Sequence, residues 1–185
     1  MKKAVFLLMF LTVLAASAAQ AQDAEFGILF GGSKAVGTSG DFSLSNSVRE
    51  LYYAAPLDPI TRFKIKAGRI SAPALITVEE AGQPPRLVEI EDAEVEHIDG
   101  IIEYRFDEPF GSAGLFVGAG LYRQKAEVSG QDEESRSNWG YSGGVTGDFP
   151  LNRRLGVVFD GTYHWTRLEG RPRYLTLAAG LRISF

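Results

Sequence analysis

Along most of this chain apolar residues alternate one by one with small or polar ones. The segment Leu155 to Trp165 sets Leu155, Val157, Phe159, Gly161, Tyr163 and Trp165 on one side, with Gly156, Val158, Asp160, Thr162 and His164 on the other. Period two over such a length predicts a strand, and a long one for a protein in water. Trp139, Tyr141, Gly143, Val145, Gly147 and Phe149 repeat the pattern against Gly140, Ser142, Gly144, Thr146 and Asp148, and Pro150 to Arg154 reads as the turn between the two. The last residues place Leu175, Leu177, Ala179, Leu181, Ile183 and Phe185 opposite Tyr174, Thr176, Ala178, Gly180, Arg182 and Ser184. Further strands are predicted at Ala113 to Val128, Val95 to Phe106, Thr61 to Arg69 and Glu25 to Gly32, with a weaker one at Arg49 to Ala55 whose facing stays open.

The aromatic residues decide which side faces out. Trp139 and Phe149 bracket one apolar side, and at about 3.3 Å per residue and a tilt near 45° they stand roughly 23 Å apart along a barrel axis. That matches the apolar band of about 25 Å, with aromatic girdles at both edges, of a barrel in an outer membrane. Tyr104, Phe106, Trp139, Tyr141, Phe149, Tyr163 and Trp165 are the expected girdle. About eight strands, an even number, predict an all-β, antiparallel, transmembrane up-and-down barrel, closed because lipid offers an edge strand no partner. Short connections at Pro56–Pro59, Asp107–Gly111 and Pro150–Arg153 alternate with mostly longer ones at Gly32–Val48, Ile70–Asp92, Ser129–Asn138 and Leu168–Pro172. Short turns on the periplasmic side and long loops outside put both termini in the periplasm. Within the longest connection, Leu75–Glu79 and Arg86–Ile90 flank Gly82–Pro85 and read as a strand pair projecting outward.

The N-terminus fits this picture. Lys2 and Lys3 precede an apolar run from Ala4 to Ala16 and an Ala19-Gln20-Ala21 cleavage pattern, which predicts a cleaved signal peptide at 1–21 and one barrel domain at 22–185. No other apolar run is long enough for a membrane helix. The net charge of −4 at pH 7 argues against nucleic acid, and loss of the two lysines makes the rest more acidic. With 0 cysteines, stability must come without disulfides.

Inward-facing polar residues are the main chemical candidates: Lys64, Lys66, Glu103, Arg105, Asp148, Asp160, His164 and Arg182, joined by Arg62 and His97. Eight strands leave room for little more than side chains, so mixed signs predict mutual pairing and a plugged core, with a narrow polar pore as the alternative. Acidic runs at Glu79-Glu80, Glu89 to Glu96 and Asp132 to Glu134 fit solvated edges better than a Ca²⁺ loop, which would carry a central glycine. No metal and no cofactor is expected, since there is no cysteine and the two histidines lie far apart in sequence.

The signal peptide, the alternating strands and the ending Leu181-Arg-Ile-Ser-Phe185 together resemble the small outer-membrane β-barrel proteins of Gram-negative bacteria, over essentially the whole mature chain. In that family a terminal Phe with apolar residues at alternate preceding positions is read by the barrel assembly machinery; Phe185, Ile183, Leu181, Ala179 and Leu177 fit. The resemblance implies insertion in the outer membrane among lipid and lipopolysaccharide, with an unidentified surface partner. The family spans adhesins, stabilising barrels, narrow porin-like channels and a few lipid A-modifying enzymes. His164, Thr166 and Glu169 are faintly similar to a deacylase His-x-Ser pair plus Glu, with Thr in place of Ser and an inward-pointing face. A structural or surface-interaction role through the external loops is therefore the leading expectation, a passive channel the second, lipid A chemistry the third.

Overall fold

A computed structural model describes residues 24–36, 43–78, 86–126, 134–168 and 172–185. The expected signal peptide at 1–21 lies outside the described residues. The strands are β1 (Glu25–Val36), β2 (Ser43–Pro56), β3 (Thr61–Val78), β4 (Arg86–Glu108), β5 (Gly111–Ala126), β6 (Glu134–Pro150), β7 (Leu155–Thr166) and β8 (Arg173–Ser184). Each pairs antiparallel with its sequence neighbour, and β1 pairs with β8 from Glu25 opposite Ser184 to Val36 opposite Arg173, closing an eight-stranded barrel. The amide of Phe185 donates to the carbonyl of Ala24 at 3.0 Å, extending that seam by one step.

One end of the barrel carries tight turns at 57–60, 109–110 and 151–154. Asx chemistry shapes two of them. The Asp58 carboxylate accepts from the amides of Ile60 and Thr61 at 2.9 and 2.8 Å, and Asn152 Oδ1 accepts from Arg154 and Leu155 at 2.8 and 2.9 Å. The Ile60 amide is the main reason that Asp58 titrates below the ordinary carboxylate range.

The opposite end departs from the sequence reading. Strand β1 continues past Gly32 to Val36, β2 begins at Ser43, and β6 at Glu134. Most of the expected loop at Ile70–Asp92 is strand: β3 and β4 stay paired up to Val78 opposite Arg86. The expected projecting pair is present: among the described residues β3 pairs with β2 only up to Ile70 and β4 with β5 only from Glu94, so the two run on from the wall as a two-stranded ribbon. It starts at a register shift between Ala72 and Ala74, where Pro73 has no amide for the ladder.

The two sides of the wall invert the arrangement found in water. Val117 is 69% exposed, Trp139 57%, Val145 55% and Leu115 54%, whereas Lys66, Asp99 and His164 are 0% exposed. Trp139, Tyr141, Tyr163 and Trp165 sit toward one edge of the apolar band, and Tyr104, Phe106 and Phe149 toward the other, nearer the turns. Tyr163 and Trp165 pack with ring centroids 4.4 Å apart, and Tyr104 and Phe106 at 4.9 Å. On β2, Leu51 and Tyr53 face out while Val48, Glu50, Tyr52 and Ala54 are buried, which settles the facing left open above.

Strong coiling of so small a barrel brings backbones close. A Cβ on Gly180 would stand 1.7 Å from the carbonyl oxygen of Ile28 on the neighbouring strand, an atom that cannot retreat without breaking the β1–β8 ladder. Gly180→Ala is expected to lower stability by about 1–3 kcal/mol, as overpacking does, measured by urea unfolding in lipid vesicles.

Candidate functional site

Among the described residues the interior gathers the densest set of charged and hydrogen-bonding side chains, stacked in layers. At the turn end, Arg62 Nη1 meets Glu25 Oε2 at 2.6 Å, Arg182 Nε meets both Asp148 oxygens at 2.8 and 2.7 Å, and Arg105 Nη2 reaches Asp148 Oδ2 at 3.1 Å. These side chains floor an open mouth of about 420 Å³, rimmed by Pro56, Asp58, Asp107, Pro150, Asn152 and Arg153. Deeper in, Lys64 pairs with Glu103 at 2.5 Å, and Thr146 Oγ1 donates to Glu103 at 3.0 Å. Lys64 Nζ lies 4.9 Å from the Tyr52 ring centroid, and Lys66 Nζ 5.0 Å from that of Phe116. Lys66 donates to Asp160 Oδ1 at 3.0 Å and Thr162 Oγ1 at 2.9 Å, with Glu50 Oε2 at 3.6 Å.

Beyond Lys66 the histidines meet. His97 Nδ1 lies 2.9 Å from Asp99 Oδ2, and His97 Nε2 lies 3.2 Å from Glu50 Oε1. The Tyr122 hydroxyl donates to Asp99 Oδ2 at 3.1 Å and lies 3.0 Å from His164 Nδ1, whose Nε2 is 3.4 Å from Thr176 Oγ1. The two imidazole centroids are 5.2 Å apart. Ala35, Val48, Ile70, Val95, Tyr122, Leu168 and Tyr174 then form a buried apolar cluster that stops the lumen toward the end away from the turns.

All ten inward polar residues named from the sequence point into the barrel, and each has an ionic or hydrogen-bonding partner there. Distance along the chain was a poor guide to the histidines, because β4 and β7 approach each other across the lumen. Glu25, Glu50, Tyr52, Phe116 and Tyr122 belong to the same interior and were not anticipated. Apolar residues lie on both sides of β2, so only its register against β1, with Leu29 opposite Glu50, reveals that Glu50 faces in.

The faint deacylase similarity has no assembled nucleophile among the described residues. Thr166 Oγ1 donates to the carbonyl of Pro172 at 2.8 Å, while His164 turns to Tyr122 and Thr176. Glu169 lies outside the described residues, as do Glu79, Glu80, Asp132 and Glu133. Of the acidic run ending at Glu96, Glu94 and Glu96 are ion-paired on the outer wall, with Arg69 at 3.1 and 3.2 Å and, for Glu96, Lys125 at 3.1 Å. The Lys125 hydrogen bond holds the Glu96 carboxyl below its usual range. Lys34, Arg49, Arg69, Arg123, Lys125, Arg167 and Arg173 also stand on this outer rim, just past the Trp139–Trp165 edge of the band. Arg167 lies over the Tyr141 ring at 5.7 Å.

No protein-family model matches the sequence, and no curated protein matches it significantly. Solved structures do match in fold. Neisserial surface protein A superposes with a TM-score of 0.67 at 15% identity, over 88% of this chain and 97% of that one. The attachment invasion locus protein Ail of Yersinia pestis gives 0.54 at 18% identity, over 88% and 98%. The N-terminal β-barrel domain of Pseudomonas aeruginosa OprF gives 0.53 at 11% identity, over 90% and 100%. The chain has the fold of the small, eight-stranded outer-membrane β-barrels.

Proposed function

We propose that this chain is exported by its signal peptide to a Gram-negative outer membrane, where a plugged barrel anchors an external interaction surface. The observation that carries the reading is the β3–β4 ribbon. From Ile98, at the edge of the apolar band, out to Arg86, the paired backbone climbs about 28 Å at about 3.3 Å per residue and a tilt near 45°. A rigid scaffold holding one long ribbon clear of the lipid is a common way to present a binding surface. The outer rim beneath it carries seven bases against Glu94 and Glu96, a field suited to the phosphates of lipopolysaccharide or to other anionic glycans. A structure of Ail, the Yersinia protein of like fold, was determined in complex with the heparin analogue sucrose octasulfate. On this reading the terminal pattern Leu177, Ala179, Leu181, Ile183 and Phe185 serves the assembly machinery.

The absence of native cysteine makes the topology directly testable. Gln83→Cys should react with a membrane-impermeant maleimide on intact cells, and Asn152→Cys only after lysis; the reverse labelling would overturn the orientation. Cells carrying the rim variant Arg49→Gln, Arg173→Gln should then bind heparin-coated surfaces less than cells with the original chain, because the ribbon at 74–90 is itself acidic and the bases lie on the rim. Equal binding would remove the rim from the interaction.

Passive transport is the second reading, and the layered interior speaks against it. In planar bilayers the purified barrel is expected to give no single-channel steps, because an ion would have to displace Lys66, Tyr122 and Tyr174, all 3% exposed or less. Regular conductance steps would reinstate the channel. Lipid A chemistry is disfavoured by the inward, mutually unpaired His164 and Thr166, and lipid A mass spectra with and without the gene should be identical.

A further inference from the structure

The histidine layer has the composition of a metal centre. His97 and Asp99 from β4 and His164 from β7 each offer a ligand atom, and these atoms all lie within 4.8 Å of one another. The three residues are 5%, 0% and 0% exposed. We propose that they bind a first-row transition-metal dication across the barrel lumen, with the Tyr122 hydroxyl beside it as a fourth donor.

The donor chemistry selects the class of ion. Two imidazoles and a carboxylate suit Zn²⁺ and its neighbours, whereas Ca²⁺ and Mg²⁺ favour oxygen cages. Spacing agrees. The steps Nδ1(His97)–Oδ2(Asp99), Oδ2–Oη(Tyr122) and Oη–Nδ1(His164) are 2.9, 3.1 and 3.0 Å. Tetrahedral ligands bonded at about 2.0 Å are about 3.3 Å apart, so these steps already suit a metal, and the wider separations, which reach up to 4.8 Å, must close by rotation of the imidazoles toward the ion.

The surroundings supply what a metal-bound histidine requires. Coordination through Nδ1 leaves Nε2–H as a donor on each ring, and a carboxylate or hydroxyl normally receives it. Glu50 Oε1 stands 3.2 Å from His97 Nε2, and Thr176 Oγ1 3.4 Å from His164 Nε2. Asp99 Oδ1 is buried without a hydrogen-bond partner, which marks unspent acceptor capacity at this spot. Gly120 makes the room, since a Cβ there would come within 2.2 Å of Asp99 Oδ1. Bound there, the ion braces β4 to β7 across the lumen.

The test starts from full-length mature barrel unfolded in urea with EDTA, then refolded into detergent with Zn²⁺ or Co²⁺ and gel-filtered. One Zn²⁺ per folded barrel is expected by elemental analysis, with visible d–d absorption of four-coordinate Co²⁺. X-ray absorption of the Zn²⁺ form should show imidazole scattering from two histidines. The double variant His97→Gln, His164→Gln should lose the ion, and Glu50→Gln should weaken retention by about 10–100-fold. A folded barrel that emerges without ion overturns the proposal, as does Zn²⁺ retained undiminished by the double variant. In the first case His97 is better read as an imidazolium clamped between Glu50 and Asp99. If the double variant does not refold, the absorption spectrum decides alone, and a spectrum without imidazole scattering refutes the site.

Discussion

Val145→Arg is expected to destabilise the folded barrel by about 2–4 kcal/mol in a phospholipid bilayer, the cost of a guanidinium near the bilayer midplane on a barrel's outer face. Val145 is 55% exposed and lies between Trp139 and Phe149 on β6, so its side chain has nowhere to go but hydrocarbon. Ser137→Arg on the same strand, past the Trp139 edge, should cost only about 0–1 kcal/mol, because near the interface the charge reaches water. Both are measurable by urea unfolding in vesicles followed by tryptophan fluorescence. In water, an exposed Val145 would tolerate arginine within about 0.5 kcal/mol. A change that small would return the apolar side to solvent and undo the membrane reading.

Lys66→Met should be at least as damaging, at about 3–5 kcal/mol, because it strands buried carboxylates rather than because it removes an attraction. Lys66 is fully enclosed and serves Asp160, Thr162 and Glu50 together. The double variant Lys66→Met, Asp160→Leu should recover part of that loss, since a matched apolar pair does not carry the desolvation penalty of a lone charge. A thermodynamic cycle over the two singles and the double separates the terms. Were the lumen filled with water, the single variant would cost no more than a surface pair, about 0–1 kcal/mol. The same result would argue for an open pore.

Strand number, lipid face and turn positions were legible because each rests on local chemistry: alternation in β6, β7 and β8, aromatics at the ends of the band, Asp58 and Asn152 in turns. The upper reach of β3 and β4 was only half legible. Leu75–Glu79 and Arg86–Ile90 do alternate, yet Pro73 interrupts the pattern and hides its continuity with the wall. Strand β2 misled in another way, since Leu51 and Tyr53 outside and Tyr52 and Ala54 inside are equally apolar. The meeting of His97, Asp99, Tyr122 and His164 could not be read at all. It depends on the stagger of three strands around a closed ring, which no single segment encodes. For the deacylase-like triplet the sequence offered proximity on one strand, and the hydroxyl of Thr166 found a nearer acceptor in Pro172.

The seam between β1 and β8 also bears on timing. The strand made first waits for the strand made after all the others, and until then its outer edge is an open row of amides and carbonyls ready to pair with a stranger. No ring can form on a ribosome partway through translation. Closure must wait until β8 is available, and its rate must carry the entropy of bringing such distant residues together.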